Sequence, residues 1–235
     1  MLSVERVRKK YGAVAVLDGV SFDVPPGQVA AIVGRNGCGK STLLAVMAAM
    51  LRPDSGRVLL DGQDPLANAN LRRRIGYVAQ GDSLFEELSV ADNLRFWAGA
   101  AGIAQADTQR SPFVELLELD GFWRQRVSRL SGGMRRRVAI CAALLADPQY
   151  ILLDEPFSGL DMVYRQQLGQ FLLELRAQGK TIVYTTHSPQ ELADLSDFAL
   201  LLSGGQIART LTAAELCEAD LEQLFLHLIE GGASE

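Results

Sequence analysis

At 235 residues, 48% hydrophobic and 22% charged, the chain is long enough for a full core and has the balance of a soluble globular protein with one domain, or a domain with a subdomain. No apolar run reaches the roughly 18 residues of a membrane span, and the opening MLSVERVRKKYG lacks the apolar stretch of a secretory signal, which points to the cytoplasm. A net charge of −5 gives no electrostatic footprint for nucleic acid, and the cysteines at 38, 141 and 217, odd in number and without metal-ligand spacing, read as reduced thiols.

Residues 2–9 and 14–24 mix Val, Leu and Phe with polar residues, have no helical period, and read as opening strands closed by the turn Pro25, Pro26, Gly27. Tyr11 stands between them, either to stack on a nucleobase or as an ordinary strand-edge aromatic. Residues 29–33 form a continuous apolar strand and 41–51 a helix, and between them runs GRNGCGKST, the pattern G-x-x-x-x-G-K-S with Thr42 after it. Gly34, Gly37 and Gly39 let the backbone turn tightly and aim its N–H groups at a phosphate chain, where the helix start adds its dipole. Lys40 has the reach for the β and γ phosphates, and the Ser41 hydroxyl suits Mg²⁺. Gly34, Asn36, Gly37, Cys38, Gly39, Lys40, Ser41 and Thr42 are therefore the expected phosphate-binding set. The same dipole is expected to favour Cys38 as thiolate.

Beyond a turn at 52–56, residues 57–60 read as a short strand, 71–74 as the end of a helix, and 75–79 as a strand whose end carries Gln80. From 84 to 148 the composition turns helical, with apolar periodicity in 90–100, 113–119 and 138–145, as for a helical subdomain inserted in an α/β core. Ser131, Gly132 and Gly133, in the stretch LSGGM, offer backbone N–H groups and a hydroxyl as a second anion site, or simply a helix cap. Arg135, Arg136 and Arg137 read as a solvated helix face or as a binding patch.

The apolar strand 150–153 ends in Asp154 and Glu155. Adjacent carboxylates at the end of a strand point to opposite sides, which suits Asp154 to Mg²⁺ and Glu155 to polarising an attacking water. A turn at 158–161, a helix at 162–178 and a strand at 181–184 lead to His187, on the same sheet edge and placed for a γ-phosphate. Strands at 198–202 and 206–211 close the core around the turn 203–205, and an apolar helix at 221–229 carries His227, read as packing.

In this order, GRNGCGKST, Gln80, LSGGM, ILLDEP at 151–156, SGLD at 158–161 and His187 resemble the nucleotide-binding subunit of an ABC transporter, over residues 2–211. The resemblance implies an α/β fold, a P-loop NTPase of the ABC ATPase type. A mostly parallel core sheet would carry an N-terminal antiparallel β subdomain and an inserted helical subdomain at about 84–148. Residues 1–235 would form a single nucleotide-binding domain with a C-terminal helical extension from about 212. It also implies ATP and Mg²⁺ as cofactors, with Glu155, His187 and Lys40 catalytic and Ser41, Gln80 and Asp154 around the metal. Tyr11 would stack on adenine, and Gln80 would link the metal site to the helical subdomain and a membrane partner. Ser131, Gly132 and Gly133 would bind the γ-phosphate of an ATP held by a second ATPase subunit, with Asp161 at the interface.

Partners implied are that second subunit, as a homodimer, and an integral membrane transporter subunit, placing the chain on the inner face of the membrane. SGGMRRR, with Met134 where the family's usual signature has Gln, and residues 84–103 look like the ABC-2 type exporters resembling daunorubicin exporters, which implies export of a drug, lipid or similar substrate. Residues 85–88, with Phe96 and Trp97, are candidates to receive the membrane subunit's coupling helix, and the two helical aromatics equally suit the subdomain core. An importer ATPase and a soluble ATPase of iron–sulfur cluster assembly are the alternatives.

Overall fold

The computed structural model describes residues 1–81 and 83–216, apart from the side chains of 105–107. Cys217, His227, the helix expected at 221–229 and most of the expected C-terminal extension lie outside the described residues.

The opening strands β1 (Leu2–Tyr11) and β2 (Val14–Val24) pair as a hairpin, and β4 (Ser55–Leu60) adds to β1, giving a three-stranded antiparallel sheet in the order β2-β1-β4. The second sheet has six strands in the order β5-β6-β7-β3-β8-β9, where β3 is Val29–Val33, β5 Ile75–Val78, β6 Tyr150–Leu153, β7 Thr181–Thr185, β8 Phe198–Ser203 and β9 Gln206–Thr212. All its pairings are parallel except that of β8 with β9.

The apolar runs in β3, β6 and β7 are buried at every position because both faces of the sheet are covered. Alternate residues go to opposite faces. Ala30, Ile32, Leu152 and Val183 pack with helix α1 (Lys40–Met47) and the antiparallel sheet. Ala31, Val33, Leu153 and Tyr184 pack with α3 (Val90–Ala101), α5 (Gly132–Leu144), α6 (Met162–Ala177) and α7 (Pro189–Leu195). Short helices α2 (Ala69–Arg72), α4 (Pro112–Leu116) and α8 (Ala213–Leu216) complete the described α-helices, and 3-10 turns at Gln105–Arg110, Asp120–Phe122 and Val127–Arg129 link the helical subdomain.

Some expected boundaries move for local reasons. α1 stops at Met47, and Ala49 turns to φ 55. α4 stops at Leu116 because Glu118 also enters the left-handed region, at φ 53. α5 begins at Gly132, well before the apolar period at 138, because the Ser131 hydroxyl caps it by accepting from the Met134 N–H. α7 is an element that periodicity did not find. Its signal is a Ser188 cap, Pro189 in the first turn and Glu191 three residues after the cap.

Candidate nucleotide site

The loops after β3, β5, β6 and β7 meet at the C-terminal edge of the parallel strands, where open α/β sheets place their ligands. Two glycines in the loop 34–42 have no substitute. A Cβ on Gly34, at φ 154, would lie 2.3 Å from the Leu202 carbonyl oxygen, and one on Gly39, at φ 107, would press on Val16 at 3.0 Å. Gly39 stands at the start of α1 with no side-chain cap, so the first N–H groups of the helix stay available to a ligand. Lys40, 6% exposed, lies back along the loop, its Nζ donating to the carbonyls of Gly34 at 2.8 Å and Arg35 at 3.1 Å.

A cleft of about 520 Å³ opens over this loop. Asn36, Gly37, Gly39, Lys40, Ser41 and Thr42 line one side, and Val16, Gln80, Glu155 and His187 face them. Tyr11 does not line it. The ring is half exposed at the tip of the β1–β2 hairpin, where Tyr11 pairs with Val14. The expectation for Cys38 is corrected: burial pushes its thiol up from 9.0, outweighing the attraction of Lys40.

Asp154 is 1% exposed. Its Oδ1 accepts from the Thr185 hydroxyl at 2.7 Å, and its buried Oδ2 has no hydrogen-bond partner among the described residues. A buried carboxylate oxygen left open in this way fits a divalent cation. Among the described residues no three His, Cys, Asp or Glu side chains converge on one point, so a cation here would depend on Asp154, on the Ser41 hydroxyl and on phosphate oxygens, as suits Mg²⁺.

Glu155 leaves the strand through φ 50, so its separation from Asp154 comes from a left-handed turn rather than from strand alternation. Its Oε1 lies 2.7 Å from His187 Nε2, and its Oε2 accepts from Gln80 Nε2 at 3.3 Å. Gln80 thus meets the carboxylate of Glu155. Thr185, which sequence reading passed over, accepts from the Glu155 N–H at 2.8 Å as well as donating to Asp154. Behind His187, the hydroxyl of Thr186 donates to Glu191, whose carboxyl is raised chiefly by burial.

Ser131, Gly132 and Gly133 do not line this cleft; Ser131 and Gly132 are exposed at the start of α5. Asp161 is also exposed and caps α6, accepting from the Tyr164 N–H at 3.1 Å. The arginine run is neither a solvated face nor a binding patch, since Arg136 is 7% and Arg137 8% exposed. Arg135 pairs with Glu86 at 2.8 Å. Arg137 donates to the Leu117 carbonyl at 3.1 Å, and its guanidinium lies 4.0 Å from the centroid of the Tyr164 ring. Met134 packs against the helical core. Phe85 and Phe96, 43% and 49% exposed, form an edge-to-face pair at 4.7 Å, with Trp97 at 5.3 Å from Phe96, so these aromatics sit on the surface of the subdomain.

A glycine loop between a buried strand and a helix, with two carboxylates at the end of β6, one strand removed in the same parallel sheet, defines a P-loop nucleotide-binding fold. The family model for the ABC transporter matches residues 17–158. The chain belongs to this family, as its ATPase domain.

Among its relatives, a probable sulfate/thiosulfate import ATP-binding protein CysA of Chlorella vulgaris is 36% identical, over 92% of each chain. The sulfate/thiosulfate import ATP-binding protein CysA 1 of Chromobacterium violaceum is 34% identical over 92% of this chain and 62% of its own length. The Fe(3+) ions import ATP-binding protein FbpC of Agrobacterium fabrum is likewise 34% identical over 92% of this chain and 62% of its own. The chain thus spans less than two thirds of the length of two of these three relatives. A solved ATP-binding subunit of an ABC transporter superposes with a TM-score of 0.87 at 29% identity, covering 97% of this chain and 99% of the other. The dimeric post-hydrolysis state of the cassette MJ0796 bound to ADP and Pi superposes with a TM-score of 0.82 at 27% identity, covering 91% and 99%.

Proposed function

We propose that the chain is the ATP-hydrolysing subunit of a membrane transporter and works as a head-to-tail pair that closes on two ATP molecules. The observation that carries this reading is the division of the candidate residues. Lys40, Ser41, Gln80, Glu155 and His187 share one cleft, with Asp154 at its floor strand, while Ser131, Gly132, Gly133 and Asp161 stand apart from it. Each cleft would then be completed by the exposed start of α5 from the other copy.

In the closed pair, Lys40 exchanges the carbonyls of Gly34 and Arg35 for phosphate oxygens. Glu155 takes a proton from the attacking water, and His187 and Gln80 hold the Glu155 carboxylate until a nucleotide reorders them. A Mg²⁺ held by Asp154 and Ser41 would neutralise phosphate charge. Tyr11 is our candidate for stacking on adenine, with Val16 under the base. Loss of the γ-phosphate releases the pair, and the cycle of closing and opening drives the membrane subunit.

The surface built by Phe85, Leu88, Phe96 and Trp97 is our candidate for contact with that subunit, on the cytoplasmic side of the membrane. Among the described residues no helix is long and apolar enough to cross a membrane. The relatives named for sulfate and iron uptake favour import. Export is the second reading, resting on the resemblance of SGGMRRR and of residues 84–103 to exporter ATPases.

Purification of the native complex in mild detergent tests the proposal. It should recover a polytopic membrane subunit, and vesicles containing the complex should accumulate or expel a substrate in step with MgATP turnover, which fixes the direction. Recovery with a soluble iron–sulfur scaffold and no membrane subunit would overturn it.

A further inference from the structure

Arg136 is a buried cation on α5 that the catalytic scheme above does not use. Its Nη1 donates to the Ala79 carbonyl at 2.7 Å, and its Nη2 donates to the Asp154 carbonyl. These two acceptors are the last backbone groups before Gln80 and Glu155. The ladder between β5 and β6 ends at Val78 and Leu153, with one further bond from the Asp154 N–H to the Val78 carbonyl at 2.9 Å. Past that point the planar fork of Arg136 bridges the backbone of the two strand ends, alongside the side-chain bond from Gln80 to Glu155.

The Asp154 carbonyl and the Glu155 N–H belong to a single peptide plane. Arg136 holds its oxygen from α5, and the Thr185 hydroxyl holds its N–H from β7 at 2.8 Å. The plane cannot rotate without breaking one of the two bonds, and the next residue turns through φ 50 to send its carboxylate into the cleft. The orientation of that plane therefore decides where the Glu155 carboxylate sits. The same end of α5 begins at the exposed cap formed by Ser131 and Gly132.

We propose that Arg136 is a positioning residue for ATP hydrolysis. It sets Gln80 and Glu155 against the start of α5, so that engagement of Ser131–Gly133 by nucleotide is transmitted through one rigid helix to the catalytic carboxylate. The inference rests on the reading of the cleft as an ATPase site. Ser131 lies just over one helical turn from Arg136, within the same α5 segment, so the linkage needs no change elsewhere in the fold. A displacement of a reacting group by about 1 Å costs on the order of 100-fold in rate.

The test compares Arg136→Lys, Arg136→Gln and Arg136→Met in the full chain, measuring MgATP turnover, ATP affinity and thermal midpoint. The expected result is a graded fall in kcat, from a few-fold for Lys to on the order of 10- to 100-fold for Met, with ATP affinity held within about threefold. In a Glu155→Gln background the same substitutions should cause no further loss, because the group they position is already gone. Parent-like kcat in folded Arg136→Gln, or a fall in kcat matched by an equal loss of ATP binding, overturns the inference and leaves the ATPase reading standing. No turnover by the unsubstituted chain, alone or with its membrane subunit, removes both.

Discussion

The two halves of the candidate site are built in opposite ways. At the ends of β6 and β7, Asp154, Glu155, Thr185 and His187 hold one another through bonds of 2.7–2.8 Å, and Asp154 and Thr185 are almost wholly buried. At the start of α5, Ser131 and Gly132 are exposed, and among the described residues they bond only within their own helix. The first half is preorganised inside one chain, as catalysis of charge movement requires. The second is an exposed helix start that does not line the cleft of its own chain, and on the proposed reading it is an anion site offered to another copy. Under the proposed pairing, a single chain with this asymmetry holds a nucleotide and leaves its second half for the cleft of the other copy.

The largest effect should come from the preorganised half. Glu155→Gln is expected to slow hydrolysis by about 10²- to 10⁴-fold while ATP binding stays intact, measured by single-turnover phosphate release beside equilibrium binding. Turnover near the parent rate would remove Glu155 from the role of base. The outward half should respond differently. Ser131→Arg is expected to weaken ATP-driven pairing by about 100-fold, some 2.7 kcal/mol, while the isolated chain keeps its affinity for ATP. Sedimentation with and without ATP reads the first quantity and nucleotide titration the second; if both fall together, α5 serves its own cleft and the comparison breaks.

The smallest effect concerns Cys38. Because burial raises the thiol above 9.0, alkylation by iodoacetamide should be slow at neutral pH and climb by about tenfold per pH unit between pH 7 and 9. MgATP should protect, and Cys38→Ala should change turnover by less than about threefold. A plateau in rate below pH 8 would show a thiolate-favouring site in which the helix start and Lys40 outweigh burial.

What could be read from the residues alone was what is local. The loop 34–42, the carboxylates after β6 and the histidine after β7 each announce themselves by a short pattern next to an apolar strand. What could not be read depends on distant contacts. Arg136 and Arg137 look like surface charge in any window of sequence, and only the packing of α5 against β5, Tyr164 and Leu117 shows them to be internal. Thr185 is one more threonine in a strand until Asp154 and the Glu155 N–H arrive from its neighbour. For Cys38, two opposing terms act on one atom, and sequence position supplies the helix start but not the burial that outweighs it. α7 was missed for a different reason: it is a single short stretch whose cap is legible and whose period is not.

The left-handed turn at Glu155 has a consequence for how this position can change. A non-glycine residue there carries about 1 kcal/mol of backbone strain, and its carboxylate follows directly on the buried one of Asp154. Asn or Gly would relieve the strain and remove the neighbouring charge. On the proposed role of Glu155 as base, selection for thermal tolerance and selection for turnover pull residue 155 in opposite directions, so stabilised descendants of this chain that drift from glutamate would be recognisable as binders that no longer burn their nucleotide.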